Sequence, residues 1–196
     1  MNLFFVKRKI KLAFYWLACK YVFSHFFNSF GKHSKIVSPL IVTNPRHMSI
    51  GNRVTINDGA YLLCCQKEAG SSSTLIIGDS VTLGLHNHIV AYNRVEIHDN
   101  VLSANNVYIS DNNHSYRDIS VPIALQGVHS KGPTIIGSGT WIGENVCIIS
   151  AKIGKNCVIG ANSVVTSDVP DYCVAVGNPA RVVKKFNAST KIWEKV

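Results

Sequence analysis

Aliphatic side chains recur every six residues along most of this chain, and any fold must accommodate that period. One run reads Ile50-Gly51-Asn52-Arg53-Val54-Thr55, Ile56-Asn57-Asp58-Gly59-Ala60-Tyr61, then Leu62. Others place Ile77, Leu83 and Ile89; Ile97, Ser103 and Ile109; Ile136, Ile142 and Ile148; and Ile153, Ile159 and Val165. Ser103 alone is not Ile, Leu or Val. An amphipathic helix needs apolar spacings of three and four, so a strict six argues against it. Three six-residue segments instead make one turn of a triangular prism. Each side is a short strand with its aliphatic residue pointing to the axis, and Gly or Asn stands where a corner needs unusual dihedrals. Successive turns pair as parallel strands, and each buries its neighbour's open face. An earlier partial turn is expected at Ile36, Val42 and Met48, two residues out of phase, and the five-residue step from Ile148 to Ile153 implies a tightened corner.

Two stretches break the period. Residues 64–75 form a polar, Ser-rich interruption, and residues 110–134 contain Asp111-Asn112-Asn113-His114-Ser115-Tyr116-Arg117-Asp118. Such a prism tolerates insertions at its corners, and long polar excursions there tend to carry function.

Hydrophobic residues make up 46% of the 196 and charged residues 16%, which suits a packed core and excludes wholesale disorder. The net charge of +9 is uneven: residues 1–35 hold seven basic residues and no acid, residues 181–196 five against Glu194, and the body between eight against ten. A slightly acidic body argues against a nucleic-acid partner. The six cysteines show neither a disulfide framework nor a CxxC pair, which points to a reducing cytoplasm. Residues 1–30 have no small-residue cleavage site, and their longest charge-free apolar stretch, Leu12 to Cys19, is far short of a bilayer span. Their aromatic residues and Lys7, Arg8, Lys9 and Lys11 suit a helix in the membrane interface; the alternative is a helix capping the first turn, and the two are compatible.

The ordered motifs of the second half resemble the hexapeptide-repeat acyltransferases, within them the branch of maltose, galactoside and xenobiotic acetyltransferases and surface-polysaccharide O-acetyltransferases. The resemblance spans about residues 36–186. It rests on Ser110-Asp111-Asn112-Asn113-His114-Ser115-Tyr116, Pro122-Ile123 with Gln126-Gly127, Gly139-Thr140-Trp141-Ile142-Gly143, Ile159-Gly160-Ala161-Asn162-Ser163 and Gly177-Asn178-Pro179-Ala180. It implies an all-β fold: a left-handed parallel β-helix with an N-terminal helical segment and a short C-terminal tail. Residues 1–35 would be the basic aromatic segment, 36–180 the acetyltransferase domain, and 181–196 the basic tail.

The resemblance implies an enzyme that uses acetyl-CoA as cosubstrate. Acyl transfer to a hydroxyl needs a base, stabilisation of the thioester oxygen and alignment. Imidazole, with an ordinary pKa of about 6.5, suits the first task. His114 matches the family's catalytic position, while Asn112 stands where relatives often have a second His. Trp141, Gly143, Glu144, Ala161, Asn162, Thr166, Arg181 and Lys184 match positions near coenzyme A. Glu144 replaces a small residue there, and Thr166-Ser167 replaces Thr-Lys, for which Arg181, Lys184 and Lys185 would compensate. His86, His88, Asn113 and Tyr116 are acceptor-side candidates. No metal is expected; a zinc site as in the carbonic-anhydrase relatives would need His86, His88 and His114 to converge.

The reading is an O-acetyltransferase acting on a sugar or glycan hydroxyl, in surface polysaccharide synthesis. Alternatives are a small free acceptor (a soluble sugar, xenobiotic or amino acid) or a non-catalytic or metal-binding β-helix. A homotrimer is expected, because a ligand groove along a prism edge needs a second wall. The expected location is cytoplasmic, with residues 1–30 available to the inner face of the membrane.

Overall fold

A computed structural model describes residues 3–65 and 73–196, with the side chains of residues 3–5 outside the description. The middle of the Ser-rich interruption, residues 66–72, lies outside the described residues. The rest is a triangular prism of three parallel sheets.

The expected period appears directly as strand register. On the first sheet Phe30, Ile50, Ile77, Ile97, Ile136 and Ile153 stand in one row. Ile36, Ile56, Leu83, Ser103, Ile142 and Ile159 make the row of the second. Val42, Leu62, Ile89, Ile109, Ile148 and Val165 make that of the third. From Ile50 onward all these side chains are buried, as are most residues two positions before them, such as Val54, Leu75, Val81 and Val146. A continuous apolar column therefore runs down the axis, and parallel pairing satisfies the backbone of each coil with its neighbours.

Ser103 sits inward as the period requires, and its hydroxyl donates to Oδ1 of buried Asn87 at 2.9 Å. The Asn87 amide in turn donates to the carbonyls of Gly84 and Ala104, so this polar layer is internally satisfied. Corners fall at the fourth position of each six, where Arg53, Ser80, Asn100, Asn106, Asn145, Asn156 and Asn162 all have φ between 48 and 60°. Asn tolerates this left-handed backbone better than most residues, which accounts for its recurrence. The five-residue step after Ile148 turns on Ser150 in the same conformation.

The ends add three details to the expected pattern, and one of them, the place of Met48, corrects it. The first coil consists of Phe30, Ile36 and Val42, so it begins within the segment expected to end at residue 35. Met48 lies in the same strand as Ile50, Met48–Ile50, and pairs with Leu75; the two-residue phase shift arises from the short 3-10 turn Pro45–His47 between coils. The expected C-terminal tail is itself ordered as strand. Strand Cys173–Gly177 pairs with Val158–Ile159, and Ala180–Asn187 and Ile192–Lys195 add to it antiparallel, extending the second sheet.

The single helix, α1 (Leu3–Tyr21), rests on the first coil. Cys19 is fully buried, and its sulfur accepts the N–H of Ile36 at 3.3 Å. Lys11 is ion-paired with Asp58 on the second coil. The helix therefore packs on the first coil at its C-terminal end and reaches the corners of the next two at its N-terminal end. No helix among the described residues is long and apolar enough to cross a membrane.

Candidate active site

Both interruptions open at the same edge of the prism, where the third sheet turns into the first. Ser73 closes the shorter one by donating to the Cys65 carbonyl at 2.8 Å. The longer one leaves strand Tyr108–Ser110 and returns at Thr134–Ile136. Its root is fixed by a buried acidic side chain. Asp111 is fully buried, and its carboxylate accepts the backbone N–H groups of Tyr92, Asn93 and Arg94 at 2.7, 2.7 and 2.8 Å. Thr134 adds a bond to the Ser110 carbonyl at 2.8 Å.

Beyond the root, Asn113–His114 pairs antiparallel with Val128–His129 to form a small hairpin. The tip is closed by Gln126, whose amide donates to the carbonyls of Asp118 and Val121, both at 2.7 Å. Asp118 binds Ser120, and the Ser120 donors hold its carboxyl below the usual range. His114 is exposed on this framework. In register, Asn113 stands opposite His129 and His114 opposite Val128, so alternation places the two imidazoles on opposite faces of the hairpin. His129 lies 3.4 Å from the Ser115 hydroxyl.

The remaining candidates divide between edges. Gly143, Glu144, Ala161 and Asn162 stack on two successive coils where the second sheet turns into the third. A Cβ on Gly143 would come within 2.7 Å of the Ala161 nitrogen, so close coil spacing requires the glycine. The Glu144 carboxylate accepts from the Asn105 backbone and the Asn106 amide, at 3.1 and 3.3 Å. Its side chain bridges coils, a corner role otherwise filled by Asp79, Asp99 and Asp171. Trp141 faces outward from the second sheet, 51% exposed, between Leu102 and Val158. Arg181 and Lys184 are exposed on the strand that extends this sheet, and the Arg181 guanidinium donates to the Ala180 carbonyl. Thr166 is exposed at the same edge as the His114 loop.

Among the acceptor-side candidates, Asn113 and Tyr116 lie in the loop. His88 is on the outer face of the third sheet, its ring tilted against Tyr61 and edge-on to Tyr108 at centroid separations of 4.2 and 5.2 Å, and burial lowers its pKa. His86 is a left-handed corner residue at the other edge, with its ring against Gly59. Among the described residues no three His, Cys, Asp or Glu side chains converge as a metal site, so the imidazoles of the zinc alternative stand apart.

Sequence reasoning left Asp111 and Gln126 without a role, yet both fix the loop. The signal was faint: a lone acid directly after a completed coil, and a Gln after a short apolar turn.

Similarity to known proteins follows the same anatomy. The model of the hexapeptide repeat of succinyl-transferase matches residues 133–167, the two regular coils after the loop. A putative lipopolysaccharide biosynthesis O-acetyl transferase of Escherichia coli K12, WbbJ, is 30% identical over 164 residues, covering 80% of this chain and 81% of its own. The probable acetyltransferase Rv3034c of Mycobacterium tuberculosis is 45% identical over 122 residues, 62% of this chain, which spans only 39% of that relative's length. A solved galactoside acetyltransferase in complex with coenzyme A superposes with a TM-score of 0.53 at 35% identity, over 60% of this chain and 57% of that one. With the repeat in register on all three faces and a relative matched over most of both lengths, the chain belongs to the hexapeptide-repeat acyltransferase family.

Proposed function

We propose that this protein transfers an acetyl group from acetyl-CoA to a sugar hydroxyl, in the assembly of a surface polysaccharide, on the cytoplasmic side of the cell. The observation that carries the reading is an exposed imidazole, His114, held on a hairpin whose root and tip are both fixed. A base that meets substrate from solvent must be accessible, and it is effective only when its position is defined.

In this mechanism His114 takes the proton of the acceptor hydroxyl as its oxygen attacks the thioester carbonyl. The tetrahedral intermediate collapses with cleavage of the C–S bond, and the imidazolium returns the proton to the departing thiolate. Coenzyme A supplies the activated acyl group. Backbone groups of the Gly143–Glu144 and Ala161–Asn162 corners, with Trp141 alongside, would hold the pantetheine arm; Thr166, Arg181 and Lys184 would meet the phosphates. Tyr116 and Asn113 on the loop, and His88 on the sheet from which it leaves, are the acceptor-side groups.

The working unit in this proposal is a trimer. The root of the His114 loop lies at the edge opposite the sheet that carries Trp141, so one copy supplies the base and its neighbour the cofactor wall. Tyr116, Ile119, Ile123 and Leu125 are exposed on the loop, Ile119 completely, as expected of a surface that a second copy covers. The similarity to a lipopolysaccharide O-acetyl transferase supports a glycan acceptor. The test is thiol release from acetyl-CoA across a panel of free, nucleotide-linked and lipid-linked sugars. Release that depends on one sugar class, with O-acetyl product found by mass spectrometry, is expected; acetylation of amines alone, or no release with any sugar, overturns the acceptor assignment.

A further inference from the structure

The inner face of α1 is accounted for by the first three coils, but its outer face is not. Ile10, Phe14, Leu17 and Tyr21 follow the helical spacing of four, three and four, and all are exposed, Phe14 at 63%. They lie opposite the packed face that ends in Cys19. The stripe leads directly into the 3-10 turn Phe23–Phe26, where Phe23 and Phe26 are also exposed. Beneath that turn a groove of about 410 Å³ is lined by Phe23, Phe26, Phe27, Leu40, Ile41 and Pro45, among other apolar residues. A monomer surface seldom gathers so much aromatic and aliphatic area at one end without a partner.

Charge identifies the partner. The first 57 residues contain nine Lys and Arg and no acid, while residues 58–196 contain eleven of each sign. The whole net charge of +9 therefore belongs to the helix and the first two coils. Lys7 and Lys20 stand at the margins of the stripe, three residues from Ile10 and Leu17. Lys11 is neutralised by Asp58, but no acidic partner lies within ion-pair distance of Lys7, Lys9 or Lys20 among the described residues. The Lys20 ammonium instead lies 5.3 and 4.7 Å from the ring centroids of Trp16 and Tyr21. Cations bordering an aromatic, aliphatic face are the chemistry of a surface that meets lipid headgroups and the upper acyl region together.

We propose that this end of the prism docks on an anionic phospholipid bilayer, with the outer stripe of α1 in the interface, Lys7, Lys9 and Lys20 on the headgroups, and an acyl chain in the groove beneath Phe23–Phe26. The helix acts as both cap and anchor: Cys19 ties it to the first coil while the opposite side meets lipid. The proposal is independent of the acetyl-transfer reading.

The experiment is sedimentation of the full chain with vesicles of phosphatidylcholine alone and of phosphatidylcholine mixed with phosphatidylglycerol. Strong partition is expected only on the mixed vesicles, falling about fivefold for each of Lys7→Ala and Lys9→Ala, and weakening with salt to an apolar remainder. A combined Ile10→Ser, Phe14→Ser, Leu17→Ser variant should lose that remainder, while its melting temperature and thiol release with a soluble acceptor stay as in the parent. Leu40→Asp, in the groove and outside the helix, should weaken binding in an otherwise folded protein. Equal partition on neutral and anionic vesicles, or unchanged binding by the stripe variant, overturns the proposal. So does a drop in oligomer mass on removing the stripe, because the face would then be a contact between copies of the chain.

Discussion

His114 and Asp111 belong to one loop but have different proposed roles, and their variants should separate. His114 is exposed and contributes nothing evident to the hairpin beyond its backbone. His114→Ala should therefore lower kcat by roughly 10²–10⁴, as for removal of a general base, and leave acetyl-CoA affinity and thermal stability near their original values. Steady-state kinetics with calorimetric binding checks this; near-normal turnover removes the assignment. Asp111 touches no substrate in the proposed mechanism and acts through the three amides it holds. Asp111→Ala removes the acceptor of three part-buried backbone hydrogen bonds, each worth about 0.5–1.5 kcal/mol net, so unfolding free energy should fall by about 1.5–4.5 kcal/mol. Activity should fall with it because the hairpin root is released. Asp111→Asn retains one carbonyl acceptor and should recover part of both losses. A variant that loses activity with an unchanged denaturant midpoint would give Asp111 a direct chemical role instead.

At the scale of the coil, the tolerances are set by strand spacing rather than by side-chain volume. A Cβ built on Gly137 would come within 2.5 Å of the carbonyl carbon and oxygen of Gly154 on the next coil. Backbone there cannot move without opening the pairing on either side, so Gly137→Ala should cost at least about 1–3 kcal/mol, read as a lowered midpoint of chemical unfolding. An unchanged midpoint would mean that the coils slide more easily than their register implies. This rigidity is also why so much of the fold was legible. A period of six places each aliphatic residue of Ile77, Leu83 and Ile89 on a different face, and every coil repeats the same solution. Legibility failed where local chemistry left the period. The Pro45–His47 turn shifted Met48 out of its expected row, and the basic residues after Ala180 hid a strand whose pattern, Val182 and Val183 among Arg181, Lys184 and Lys185, does not alternate cleanly. In the candidate site, His114 stood out as a proposal because a histidine in a polar excursion has an evident chemical use. The bridging role of the Glu144 carboxylate was not, since it depends on Asn105 and Asn106 nearly forty residues away in sequence but one coil away in space.

For the whole molecule, the proposed site draws its candidate groups from an edge of the prism and from the sheet opposite it. The His114 loop springs from the edge between the third and first sheets. Trp141 faces out from the second sheet, and Gly143, Glu144, Ala161 and Asn162 line the edge beside it. If three copies close around an axis, each site joins the loop of one copy to the Trp141 wall of the next. This arrangement predicts complementation between two inactive proteins. His114→Ala and Trp141→Ala, each purified alone, should sediment as trimers with little turnover. When they are co-expressed under separate tags and assemble at random, a site is intact only if its loop comes from the Trp141→Ala chain and its wall from the His114→Ala chain. Every mixed trimer then holds one intact site of three, so isolated mixed trimers should regain about a third of the parent rate, and the unsorted random population about a quarter. Sites built within single chains would each retain one lesion, and the mixture would stay as inactive as its components. Analytical ultracentrifugation of the mixed species, followed by thiol-release kinetics, distinguishes the two outcomes, and recovery that rises with the fraction of mixed trimers ties the activity to the shared edge.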